Sequence, residues 1–308
     1  MDAFAVVSQY INNKIERRNT MYKKSIKDNS KFLLPFTEGI KYYGSDNIVQ
    51  GLGTMIALND EGDVLTCKHI AERFLLNQKL IDRFSIIMED LSNAKNKNER
   101  KKIEKKYNLN TNVVILSNVK AIIDEECDCN KYNIILHPYL DMAIIRFNKK
   151  IKKTNNYPIF STALPDQGQS ICRIGYAFPE YDLYDFSKEK NNIVLKQDSK
   201  LNFPVFPNDG IVTRRIIDEK NIVSMFETST PGLRGQSGGP IFGPDGIIFG
   251  MQSMTKHLDL NFDINQDVMR GAVKKRITFT PFINLGVAIS SVEIIKFLKS
   301  NNIKFFSK

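Results

Sequence analysis

From residue 37 onward the chain breaks into about a dozen short runs rich in β-branched and aromatic residues, separated by Gly, Asn, Asp and Pro turn signals. GIKYYG, GTMIAL, DVLT, NVVIL, NIILH, MAIIRF, ICRIGYAF, NIVLK, GIVTRRI, NIVSMFE, PIFGPDGIIFGMQS and INLGVAIS are these runs. So many strands without helices between most of them do not suit a parallel sheet covered by crossover helices. They predict an all-β fold, built as barrels or a sandwich. At 308 residues and 42% hydrophobic content the chain can bury a full core.

Two stretches depart from the strand pattern. The first 35 residues read as a basic amphipathic helix that closes before Pro35. Between 71 and about 107, Phe74, Leu75, Ile81, Phe84 and Ile87 recur near a 3.6-residue period, which predicts one or two helices inserted between strands. The end of that insertion, 95–106 (KNKNERKKIEKK), has seven basic and two acidic residues, half of the net charge of +10. It reads as a solvated basic face. It lacks the aromatics that stack nucleobases, so a nucleic-acid partner is a weaker expectation than a regulatory protein. The chain closes with a helix in which Ser290 and Glu293 form a capping box and Val292, Ile295, Phe297 and Leu298 an apolar stripe.

No run approaches the ~18 apolar residues of a membrane-spanning helix, and the first thirty residues lack a signal peptide's apolar core. The expected compartment is the cytoplasm, with no membrane partner. Four cysteines, Cys67, Cys127, Cys129 and Cys172, are too few for a disulfide scaffold and are expected as free thiols. Cys127 and Cys129, joined by Cys67, Cys172 or His137, would make only a weak metal pattern without a second Cys/His pair. Neither metal nor cofactor is expected.

The chemistry concentrates in GQSGGP, residues 235–240. A serine with glycine two before and one after can sit on a tight loop whose backbone N–H groups point into open space, the geometry of an oxyanion hole. A serine hydroxyl also needs a general base. Of three histidines, His69 follows a strand and opens a helical turn, whereas His137 and His257 read as loop residues. A buried carboxylate must then hold the imidazole, and Asp141, directly ahead of the apolar run MAIIRF, is the acid drawn inward. The plainer counterparts are a glycine-rich turn, a structural histidine and an Asp at a strand start.

Together these segments resemble the trypsin/chymotrypsin-like serine peptidases, in particular the protease domain of the bacterial HtrA-like branch, here without a PDZ domain. GLGTMIALNDEGDVLTCKHIA resembles its strand, turn and T-x-x-H motif, with Thr66 and His69 in place, and DMAIIRF its motif led by an Asp. The stretch from GIVTRRI to GMQS resembles the surroundings of its nucleophile, and the order His, Asp, Ser also agrees. The resemblance implies two perpendicular six-stranded β-barrels (chymotrypsin-like) and a C-terminal helix; the N-terminal helical extension has no counterpart in it, and the helical insertion interrupts it. The extension would be 1–35 and the protease domain 36–308. Within that domain the first barrel would span about 36–165 with the insertion at 71–108, the second about 166–289, and the helix 290–302.

The resemblance further implies Ser237 as nucleophile, His69 as base and Asp141 as orienting acid, with an oxyanion hole from Gly235 and Ser237. Ser253 and Met254 would line the substrate strand and pocket, with Arg234 beside the cleft. The implied activity is that of an intracellular serine endopeptidase acting on protein or peptide substrate. Two departures bear on it: Ile70 stands where secreted members have a cysteine, and Gln236 where they have an Asp that pairs with a new N-terminus. Control by a partner that touches the basic helices is therefore expected over activation by trimming. The alternative is a silent protease-like scaffold that binds a protein or nucleic acid.

Overall fold

The computed structural model describes residues 21–123, 131–151, 157–178, 182–196, 203–217, 223–271 and 273–308. Most of the N-terminal extension, and Cys127 and Cys129, lie outside the described residues.

Six strands form the first sheet: β1 (Leu33–Tyr42), β2 (Ile48–Ala57), β3 (Asp63–Thr66), β4 (Val114–Ala121), β5 (Tyr132–Leu136) and β6 (Ala143–Phe147). They lie in the order β4-β1-β2-β3-β6-β5 with every neighbour antiparallel. Among the described residues β4 and β5 do not pair, so this unit is a half-barrel where the sequence predicted a closed one. The second half of the chain supplies β7 (Ile159–Phe160), β8 (Ser170–Gly175), β9 (Tyr184–Ser187), β10 (Asn192–Leu195), β11 (Phe206–Ile217) and β12 (Val223–Thr228). It continues with β13 (Pro240–Phe242), β14 (Ile248–Asp259), β15 (Ile264–Arg270), β16 (Val273–Phe279), β17 (Phe282–Ser290) and β18 (Phe306–Ser307). The order β13-β8-β11-β12-β17-β14, with β14 returning to β13, closes a six-stranded barrel. The fold is all-β, a chymotrypsin-like pairing of one closed barrel and one half-barrel.

Of three apolar clusters among the described residues, the largest runs through both units, joining Leu65 and Ile144 of the half-barrel to Ile174, Phe242 and Ile289 of the barrel. Burial of this kind contributes roughly 25 cal/mol per Å² of apolar surface and fixes the two units against each other.

The helices keep to their predicted places with local differences. Helix α1 (Lys23–Asn29) runs into a 3-10 turn that ends at Phe32, and Pro35 lies inside β1 rather than closing a helix. Its missing N–H is tolerated because Pro35 lies at the end of the β1–β4 ladder, where its carbonyl still accepts from Ile122 N–H at 3.0 Å. The insertion is α2 (Lys68–Asn93) and α3 (Lys97–Lys106). Helix α2 buries Ile70, Ala71, Phe74, Leu80, Phe84 and Ile87, while Leu75, predicted on this stripe, is exposed. Helix α3 starts on an Asn96 cap and buries nothing, so its basic residues form a solvated face. Helix α4 (Ser291–Ser300) begins where Ser290 Oγ accepts from Glu293 N–H, and it buries Ile294, Ile295, Phe297 and Leu298.

Candidate active site

Strand β3 and helix α2 meet at Cys67, which puts His69 in the first turn of a 26-residue helix. First-turn N–H groups have no partner within the helix, and Cys67 supplies no side-chain cap. Asp141, just ahead of β6, takes that role from outside: its Oδ1 accepts from His69 N–H at 3.0 Å. The same carboxylate lies 3.0 and 2.9 Å from His69 Nδ1 through its two oxygens. One acid therefore fixes both the backbone and the ring of His69, and favours the tautomer that leaves Nε2 open as a base. Burial pushes the Asp141 carboxyl up, but hydrogen bonds from His69 and Ser253 outweigh it and hold the group below its ordinary value.

Ser253, on β14, is buried and donates from Oγ to Asp141 Oδ2 at 2.7 Å. Its carbonyl accepts from Ser237 Oγ at 3.3 Å. The residue expected only as a substrate contact thus links Asp141 to Ser237. Among the described residues no hydrogen bond joins Ser237 to His69 directly.

The loop carrying Ser237 is pinned from the half-barrel by Thr54, a fully buried residue on β2. Thr54 N–H donates to Ser237 O at 3.0 Å, and Thr54 Oγ1 donates to Gly235 O at 2.8 Å while accepting from Tyr176 N–H at 3.1 Å. Gly235 has φ +96°, and a Cβ there would stand 2.0 Å from Tyr176 O, so only glycine fits. The N–H groups of Gly235 and Ser237 find no acceptor among the described residues, whereas Gln236 N–H donates to Leu233 O and Gly238 N–H to Gln252 O. Two adjacent free donors beside a serine can hold a developing negative oxygen. Nothing in a lone Thr within GLGTMIAL marks it as this clamp, since threonine is an ordinary strand residue.

Gln236 is fully buried and satisfied within its own barrel: Oε1 accepts from Leu233 N–H and Nε2 donates to Phe206 O, at 3.1 and 3.0 Å. Among the described residues His137 faces no carboxylate in hydrogen-bond reach; its Nδ1 accepts from Leu140 and Tyr139 N–H, its ring packs on Phe297, and burial lowers its pKa. His257 packs on Phe282. Of the three histidines, His69 is the one joined to an acid among the described residues.

Around the predicted pocket, Met254 is half-exposed and Arg234 is exposed at the loop surface. Thr255 Oγ1 donates to Gly232 O at 2.7 Å, tying the two sides of the pocket together. Sequence reasoning passed over Arg173, on β8. Its side chain is wholly buried and donates to Pro231 O and Thr228 Oγ1, both at 2.7 Å, and no carboxylate pairs with it among the described residues. Burial brings its pKa down to about 10. Donor atoms of Cys67, His69 and Asp141 come within 4.8 Å of one another. Burial, and then the Asp141 charge, raises the Cys67 thiol well above its usual value, which favours the protonated thiol over a metal-binding thiolate.

No protein-family model matches the chain, and no curated protein matches it. Among solved structures it is similar to Rv3671c from M. tuberculosis H37Rv, seen as a serine-to-alanine mutant in an inactive form. That likeness has 9% sequence identity and a TM-score of 0.44, and covers 90% of this chain and 89% of the other. The strand order carries the fold assignment. No helix among the described residues is long and apolar enough to cross a membrane.

Proposed function

We propose that this chain is an intracellular serine endopeptidase that cleaves protein or peptide substrate through an acyl-enzyme on Ser237. The observation that supports it is the His69 ring held by both oxygens of Asp141, with Ser253 bridging that carboxylate to Ser237. In this reading Ser237 Oγ turns from Ser253 O toward His69 Nε2 when substrate enters, loses its proton to that nitrogen and attacks the scissile carbonyl. The N–H groups of Gly235 and Ser237 take up the oxyanion, each worth about 3–4 kcal/mol at the transition state. His69 then passes its proton to the leaving amine, and water repeats the sequence on the ester.

Met254 and Arg234 flank the bound residue in this reading, and Ser253 pairs with the substrate backbone through main-chain groups. Control comes from ordering of the 231–237 loop by a partner, because Gln236 has no charge to pair with a newly cut terminus. A silent scaffold is the second reading, favoured by the engagement of Ser237 Oγ with Ser253 O. Fluorophosphonate labelling separates them: the endopeptidase takes one label, abolished in Ser237→Ala and in His69→Ala, and the scaffold takes none. Labelling that survives in Ser237→Ala would sink the assignment.

A further inference from the structure

Eight of the 21 large apolar side chains that stand exposed among the described residues fall between 260 and 283. They lie on and beside the hairpin of β15 and β16, a two-stranded unit that joins neither sheet. Its register sets Ile264 opposite Phe279, Gln266 opposite Ile277 and Val268 opposite Lys275. Side chains alternate along a strand, so these pairs share one face, and that face is mainly apolar. Near the turn Val273, opposite Arg270 on this same face, is 67% exposed, while Met269, opposite Lys274, stands on the other face. Contiguous exposed apolar surface of this kind marks an interaction site.

Two further observations say what covers it. Among the described residues each strand pairs only with the other, so the outer edge of each presents a row of backbone N–H and C=O groups open to a further strand. The segment 269–276 also holds four basic residues and no acidic one; Lys274 pairs with Asp267 of the hairpin at 3.0 Å, and the excess of basic charge remains. A lipid surface would take those edges where nothing can hydrogen-bond them. A nucleic acid needs successive aromatic platforms, whereas the hairpin face carries one ring, Phe279 at its base, and continues with Gln266, Ile277, Val268 and Lys275. An extended polypeptide satisfies all three features: its backbone pairs with an edge, alternate apolar residues cover the face, and its acids meet the basic turn.

We propose that the hairpin 264–279 is a docking edge for an extended acidic segment of a partner protein. The surface is independent of whether Ser237 acylates, yet it is connected to that site: β14 carries Ser253 and reaches the hairpin's base at Asp259. This moves the expected partner contact away from the basic helices and onto a strand edge.

The test is selection of a phage-displayed random decapeptide pool on the full chain, in parallel with the variant Lys274→Glu/Lys275→Glu/Arg276→Glu. The expected pool is acidic, with apolar residues at alternate positions. Its peptides should bind the variant at least tenfold more weakly and slow amide exchange on an outer edge of 264–279. A second variant, Ile264→Asn/Phe279→Asn, should lose the same peptides while melting within a few degrees of the parent. Neutral or basic pools, binding that survives both variants, or displacement of the peptides by phosphatidylserine vesicles or oligo-dT would overturn the proposal, as would a pool that fails to enrich.

Discussion

Thr54→Val tests whether the half-barrel holds the Ser237 loop in shape. Valine keeps the volume and the β-branch, so the strand is undisturbed, but it removes the hydroxyl that donates to Gly235 O and accepts from Tyr176 N–H. Both groups lie out of solvent. Each buried hydrogen bond lost this way costs about 1–3 kcal/mol, roughly 2–6 kcal/mol together. With an unfolding entropy near 2.1 cal/mol/K per residue, roughly 0.65 kcal/mol/K here, Tm should fall by about 3–9 °C. Thr54→Ser keeps the hydroxyl and loses one methyl, about 1 kcal/mol, so Tm should move by only 1–2 °C or so. Because Gly235 N–H belongs to the same loop, every ~1.4 kcal/mol of lost ordering costs tenfold in acylation. The fluorophosphonate labelling rate should therefore fall at least tenfold in the valine variant and little in the serine variant. Scanning calorimetry and timed labelling read both numbers. A valine variant that melts within a degree of the parent and labels at the parental rate would refute the clamp.

Asp141→Asn should lower labelling on the order of 10⁴-fold, since an amide favours the wrong tautomer of His69. The folded-state pKa of Asp141 is depressed, so its ionisation stabilises the fold above the ordinary carboxylate value, near 4, and that contribution is lost as pH falls through the lower folded value. Urea titrations should accordingly show a smaller gap between parent and Asp141→Asn at pH 3 than at pH 7, and a gap that grows on acidification would reverse the sign. The buried Arg173 charge behind Pro231, which no carboxylate pairs among the described residues, makes a basic side chain unfavourable in the proposed pocket. Lysyl and arginyl peptides should show kcat/KM at least tenfold below leucyl or glutamyl ones, and a preference for Lys or Arg would contradict it. Neutralising Lys101, Lys102, Lys105 and Lys106 as glutamine should leave labelling unchanged and Tm nearly so, because α3 buries nothing and the Lys106–Asp90 pair it loses is exposed to solvent; a drop of several degrees would show that these lysines dock the helix.

The strand-rich class, the inserted helices and the three segments that carry His69, Asp141 and Ser237 were legible because each has a local pattern. Period 3.6 marked α2, a Ser-x-x-Glu box marked α4, and glycine spacing marked the 235–238 loop. What escaped notice depends on partners distant in sequence. Thr54 looks like any strand threonine until Gly235 is seen beside it, and Arg173 like an outward arginine until Pro231 and Thr228 surround it. Pro35 reads as a helix stop because a proline normally ends a helix, while here it sits at the end of the β1–β4 ladder, where no N–H is required of it. The hairpin 264–279 was missed because Asp267, Lys274, Lys275 and Arg276 dilute the two-residue alternation.

Gln236 has a consequence for the history of a molecule. Its amide closes on Leu233 and Phe206, both in the same barrel, so the shape of the loop does not wait on a distant amine or on a peptide bond having been cut. Under the control by a partner proposed above, such a chain would keep no covalent record of having been switched. A partner that reshapes residues 231–237 would act by mass action, half-effective at its own dissociation constant, and dilution would return every copy to the starting state.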